Sequence, residues 1–100
     1  MPIDLDEALK AIAHPVRRDM LSWLKDPQRH FPDQEHPLEI GVCAGQFDQR
    51  TGLSQSTVSA HLATLQRACL VTSRRVGQWN FFKRNQAAID ELVRRLGEEL

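Results

Sequence analysis

Between Ser54 and Leu65 the chain reads Ser-Gln-Ser-Thr-Val-Ser-Ala-His-Leu-Ala-Thr-Leu, a run of small hydroxyls and amides set on a helical period. Val58, Leu62 and Leu65 recur at i, i+4 and i+7, so they share one face. The opposite face holds Ser56, Ala60 and Ala63, flanked by Gln55, Thr57, Ser59 and Thr64. A solvated helix face ordinarily carries Lys and Glu. Short uncharged donors and acceptors suit close approach to base edges and phosphates in a DNA major groove, where bulk and negative charge are unwelcome. Gln55 has the bidentate amide that matches adenine, and Ser56 and Ser59 are short enough to reach bases or phosphates.

The charge pattern points the same way. From Gln49 to Ile89 there is no Asp or Glu, whereas Arg50, Arg67, Arg74, Arg75, Lys83 and Arg84 all fall in that stretch. All thirteen acids lie outside it, against seven basic residues. The zero net charge of the 100 residues thus hides a dipolar layout, with six positive charges in the stretch and an excess of six negative charges elsewhere. A polyanion is the natural partner for the basic part.

The elements that must position this surface follow from local pattern. Asp4 or Asp6 is placed to cap a first helix, with Leu5, Leu9 and Ile12 on one face. Pro15 ends it and opens a second helix from about Val16 to Lys25, with Val16, Met20, Trp23 and Leu24 inward. Pro27, Pro32 and Pro37 break the pattern and predict a loop over 26–40, long enough to be functional or mobile. A short third helix from about Cys43 to Thr51 turns Ala44 and Phe47 inward. Gly52-Leu53 makes a tight turn and Ser54 caps the fourth helix, which gives helix-turn-helix spacing over 43–67. Leu70–Val76 and Trp79–Lys83, split by Gly77-Gln78, predict a β-hairpin over 70–83, with Val76 and Phe82 inward. The tail, 86–100, reads as a helix with an Ile89, Leu92, Val93, Leu96 stripe.

The expected fold is therefore mainly α with a small β-hairpin, in the order α-α-α-α-β-β-α. This is a winged helix-turn-helix in a single domain over 1–100. Ser54, Gln55, Ser56, Thr57, Ser59, Ala60, His61 and Arg67 are expected to face double-stranded DNA from the fourth helix. Arg74, Arg75 and Gln78 would grip backbone or minor groove from the hairpin tip. His61 sits at the edge of the buried face, where it either touches a phosphate or bonds within the core.

At this point the chain resembles the ArsR/SmtB family of bacterial winged-helix repressors. Four separated stretches carry the resemblance, in order: Leu9-Lys-Ala-Ile-Ala-His-Pro-Val-Arg-Arg, Leu53-Ser-Gln-Ser-Thr-Val-Ser-Ala-His-Leu, Leu65 to Val71, and Arg75-Val-Gly-Gln-Trp-Asn-Phe-Phe. Together they span about residues 5 to 98. The resemblance implies a homodimeric repressor of an inverted-repeat operator, released by an effector. It also implies a dimer interface on the first and last helices, here Leu5, Leu9, Ile12, Ile89, Leu92, Val93 and Leu96.

Two departures bear on the effector. Metal-sensing relatives of the arsenic and cadmium type carry Cys-x-Cys at the start of the third helix, and this chain has Cys43-Ala-Gly45 there. One thiolate holds a soft metal poorly without other ligands. Zinc-sensing relatives place Asp and His pairs on the last helix, and this one has no His. No metal site and no cofactor are expected. Cys43, near a helix start, is first a small semi-buried residue and alternatively a redox-responsive thiol. Cys69 stands where the family usually has Gly, in a backbone position that suits glycine, and is a second possible redox thiol. His30 and His36, with Asp33 and Glu35, match no ligand framework and read as a solvated loop.

Other classes find little support. Two Cys make no disulfide scaffold, no apolar run is long enough to span a membrane, and the first residues lack a signal-peptide pattern, so a cytoplasmic protein is expected. No phosphate loop, nucleophile-base pair or carboxylate pair suggests an enzyme. The alternative of another class is a winged-helix module that binds protein instead of DNA. Such a module would not need an acid-free face.

Overall fold

The computed structural model of the protein describes residues 3–100. Helix α1 (Leu5–Ile12) is capped by Asp4, whose carboxylate accepts the Glu7 amide at 3.0 Å. Helix α2 (Pro15–Lys25) starts with Pro at its first position and His14 as its cap. The chain then forms a one-turn helix α3 (Pro27–His30), a 3-10 turn at Leu38–Ile40 and a two-residue strand β1 (Val42–Cys43). Helices α4 (Ala44–Thr51) and α5 (Gln55–Arg67) follow, then strands β2 (Val71–Val76) and β3 (Trp79–Arg84), and helix α6 (Gln86–Glu99). The fold is mainly helical, with an antiparallel sheet in the order β1-β3-β2.

Two expectations are corrected. The stretch 26–40 is not a plain loop: it carries α3 and the 3-10 turn, and it leads into β1, so the sheet has a third strand beyond the hairpin. Gln34 orders this segment. Its amide donates to the carbonyls of His36 and Gly41, and its oxygen accepts the Cys43 amide at 2.8 Å. Second, Val76 does not pack inward but lies exposed beside Trp79 at the hairpin tip. Phe81 and Phe82 are both buried although they are neighbours, because strand neighbours point to opposite faces. Phe82 meets Phe47 in the core, while Phe81 is covered from outside by the His36 ring at 5.2 Å. Within the subunit the buried face of α1 is Ala8 and Ala11, while Leu5 and Ile12, on the other face, are half-buried and Leu9 is exposed. On α6, Leu92 is buried within the subunit together with Ala88.

Gly41 is required where it stands. Its φ is +123°, and a Cβ there would lie 2.9 Å from the Phe82 carbonyl oxygen. The end of α5 makes the opposite choice. Cys69 has φ +65° and is the only non-glycine with positive φ among the described residues. The Leu70 amide donates to Leu65 O and the Cys69 amide to Gln66 O, the two bonds of a Schellman C-cap. Leu65 and Leu70, the apolar pair of that motif, are both fully buried. A β-carbon in this conformation costs on the order of 1 kcal/mol. Cys69→Gly is therefore expected to raise stability by roughly 0.5–1 kcal/mol, and Cys69→Val to lower it. Urea denaturation of the three proteins measures both; a Gly variant less stable than the parent contradicts the account.

Candidate nucleic-acid interface

Helix α5 presents its surface because its other side is held. Val58, Leu62 and Leu65 are at most 2% exposed. Phe47 of α4 is fully buried, and Gly52 closes α4 with φ +71°. Thr51 fixes the turn: its hydroxyl donates to Phe47 O and accepts the Leu53 amide. Ser54 then caps α5, accepting the Thr57 amide at 3.2 Å and donating to the Thr57 hydroxyl at 2.9 Å.

Gln55, Ser56, Thr57, Ser59 and Ala60 are exposed on one side of α5, with Ser54 at its start. Arg67 is exposed at the helix end. On the hairpin Arg74, Arg75 and Gln78 are exposed as well. Arg75 donates to the Gly77 carbonyl at 3.1 Å, which folds it along the turn. Gly77, at φ +61°, is the first of two turn residues and has the sign a II′ hairpin turn needs there. The hairpin is tied to α5 by one bond that the sequence did not signal, from the Gln66 amide to the Ser73 hydroxyl at 2.8 Å.

His61 is placed differently from the rest. It is half-buried and turned toward α1 and α2, with Nδ1 3.0 Å from Arg17 Nη1. Of the two roles left open for it, the internal bond is the one its geometry favours. Arg17 went unnoticed in the sequence. Its guanidinium also donates to Ala11 O at 2.7 Å and Lys10 O at 3.2 Å, and Arg18 donates to Ile12 O at 2.7 Å. Adjacent arginines thus bond the last carbonyls of α1, where a cation also meets the negative end of the helix dipole. The Arg-Arg pair two residues after Pro15 was the available signal.

Two arginines of the basic stretch are engaged within the subunit, Arg50 while still exposed and Arg84 half-buried. Arg50 lies over the Trp23 ring at 4.6 Å and bonds His30 Nδ1 at 2.9 Å. Arg84 donates to Leu21 O and Gln86, and burial lowers its pKa against the opposing pull of Asp90. Arg67, Arg74, Arg75 and Lys83 remain exposed, and no acid lies among them in the chain.

The thiol Cys43 caps α4 without a side-chain bond and lines a polar cleft of about 340 Å³ with His36, Gln46 and Trp79. Cys69 is half-buried at the far end of α5. Among the described residues no three His, Cys, Asp or Glu side chains converge as metal ligands would, and no helix is long and apolar enough to cross a membrane.

Comparison with known proteins gives close matches over nearly the whole chain. It is 38% identical over 96 residues to YbzH of Bacillus subtilis, an HTH-type transcriptional regulator, covering 94% of this chain and 96% of that one. The solved structure of HlyU from Vibrio cholerae is 32% identical and covers 90% of this chain and 87% of its own, with a TM-score of 0.61. An ArsR family transcriptional regulator, RHA00566, is only 14% identical but shares the fold at a TM-score of 0.74, covering 95% and 90%. No family model matches.

The cap on α5 gives a direct test of how its first turn is held. Ser54→Ala should destabilise the free protein by about 1 kcal/mol, because the Thr57 amide loses its acceptor. Thermal unfolding without DNA measures it, and no loss would mean the cap is not what holds that turn.

Proposed function

Since the chain belongs to the ArsR/SmtB family of winged helix-turn-helix transcriptional regulators, we propose that this DNA-binding regulator acts as a homodimeric repressor of an inverted-repeat operator. The observation that carries the reading is the exposed side of α5. It holds Gln55, Ser56, Ser59 and Ala60 with no charge of its own, next to Arg67, Arg74 and Arg75 with no acid among them. The Gln55 side chain makes no hydrogen bond among the described residues and is available to an adenine edge. Ser54, Thr57 and Gln78 complete the surface, and the arginines supply sequence-independent attraction to phosphate.

The dimer reading rests on apolar groups that one subunit leaves uncovered. Val93 on α6 is 63% exposed and Leu9 on α1 is 37% exposed. Beside Val93 runs a largely apolar groove of about 330 Å³, whose lining includes Ile12, Leu21, Ile89 and Leu96. We assign Leu5, Leu9, Ile12, Ile89, Val93 and Leu96 to the interface. Leu92 drops out of that set because its own subunit buries it. A second subunit related by a two-fold axis would set the two copies of α5 about one DNA turn apart, roughly 34 Å.

Gel-shift titration with duplex DNA from upstream of the chain's own coding region tests the reading. Gln55→Ala should relax base preference and cost about 1–3 kcal/mol on the preferred site. Arg74→Ala should weaken all duplexes alike and make the salt dependence shallower by about one charge. If the arginine change alters preference and the glutamine change does not, the roles are reversed. Failure to bind any duplex favours a protein-binding module.

Val93→Asp puts a charge on the uncovered face of α6 without touching the core. It is expected to shift the protein from dimer to monomer in sedimentation at micromolar concentration and to leave its far-ultraviolet dichroism unchanged. A parent that is already monomeric would overturn the dimer.

A further inference from the structure

Behind α5, where it crosses the start of α2, two imidazoles and a guanidinium meet. His14 Nδ1 accepts the Val16 amide at 3.2 Å and so caps α2. His61 Nδ1 lies 3.0 Å from Arg17 Nη1, and the two rings are 4.6 Å apart between centroids. A backbone N–H and a guanidinium offer only donors. Both contacts therefore need a lone pair on Nδ1, which makes each imidazole neutral with its proton on Nε2. A proton arriving at His61 Nδ1 would set donor against donor. It would also place a second cation against Arg17, whose remaining nitrogens hold the carbonyls of Lys10 and Ala11.

We propose that His61 and Arg17, with the His14 ring against His61, form a proton-sensitive latch that seats α5 against α1 and α2 while the His61 imidazole is neutral and loosens that seat on acidification, weakening DNA binding. The effect on DNA rests on the reading of α5 as the recognition helix; the latch itself does not.

The electrostatics agree with the geometry. The pKa of His61 is lowered, first by burial, then by His14 and by Arg17. The other charged side chains on the elements packed on α5 are Asp6, Glu7 and Lys10 on α1, Arg18, Asp19 and Lys25 on α2, Asp48 and Arg50 on α4, and Arg74 and Arg75 on β2, and no carboxylate among them counters the lowering. An unfolded histidine titrates near about 6.5. With the folded value lower, the unfolded chain binds more protons between the two. The latch's contribution is then complete above about pH 6.5 and is lost as pH falls from there toward the folded value. Histidine is the side chain suited to such a switch near neutrality.

Three measurements on the full chain test this. In imidazole NMR of the free protein, His61 should titrate below about 6.5, and Arg17→Gln should move its midpoint upward. Operator affinity of the parent should fall severalfold between pH 7.5 and 5.5. In the double variant His14→Asn/His61→Gln, which keeps acceptors but cannot titrate, the ratio of its own affinities at the two pH values should be near one. The melting temperature without DNA should likewise drop more in the parent than in the double variant. A His61 midpoint at or above the ordinary value, or equal melting drops in parent and double variant, overturns the latch. A parent that binds no duplex at pH 7.5 but shows the expected NMR and melting behaviour overturns the recognition-helix reading and leaves the latch standing.

Discussion

The exposed side of α5 is set by the burial of its inner side. Val58, Leu62 and Leu65 are locked among core residues and fix the rotation of the helix about its axis. With about 100° between successive residues, that choice leaves Ser56, Ser59 and Ala60 outward, while Gln55, nearly in line with Leu62, is exposed as the first residue of the helix. The two sides differ in what substitution costs. Truncating a buried leucine such as Leu62 costs about 2–5 kcal/mol, a large part of the 5–15 kcal/mol that holds a typical domain together. Changes on the outer side, the Ser54 cap apart, usually stay within about 0.5 kcal/mol. The surface that reads a ligand is therefore free to vary while the helix that carries it is not.

The hairpin takes its position from the end of α5. The C-cap through Cys69 turns the chain from helix to strand, Asn85 donates its side-chain amide to Cys69 O and its backbone amide to Leu70 O, and Gln66 reaches across to Ser73. At the middle of β3 the sheet is covered on both faces, by Phe47 beneath Phe82 and by His36 outside Phe81. The segment before β1 is thus a covering layer for the sheet as well as a connection between α2 and α4.

Much of this was legible in the sequence, for reasons that are local. The apolar period of α5, the Ser54 cap, Pro15 at a helix start and Gly77 in the hairpin turn each act within a few residues. The strain at Cys69 was legible for the same reason, from its place just beyond a helix end. What the sequence hid depends on partners far along the chain. Nothing near Arg17 names His61, forty-four positions away. The two-residue strand β1 exists because β3 offers it an edge, and the burial of Phe81 depends on His36 arriving from another segment. The prolines of 26–40 marked breaks correctly but gave no sign of the single helical turn between them. The engagement of Arg50 with Trp23 and of Arg84 with Leu21 O likewise depends on residues distant in the chain.

Strand β2 forms one edge of the sheet, and beyond Val71 all of it is exposed. An open strand edge is a template on which another copy of the chain could add its own strand. Here Arg74 and Arg75 sit on that edge, so pairing two copies of β2 would set like charges close together across the new ladder. The side chains assigned to phosphate thus also keep the DNA-free protein from growing sheets edge to edge. That protection is electrostatic, and it weakens as salt shortens the range of the repulsion.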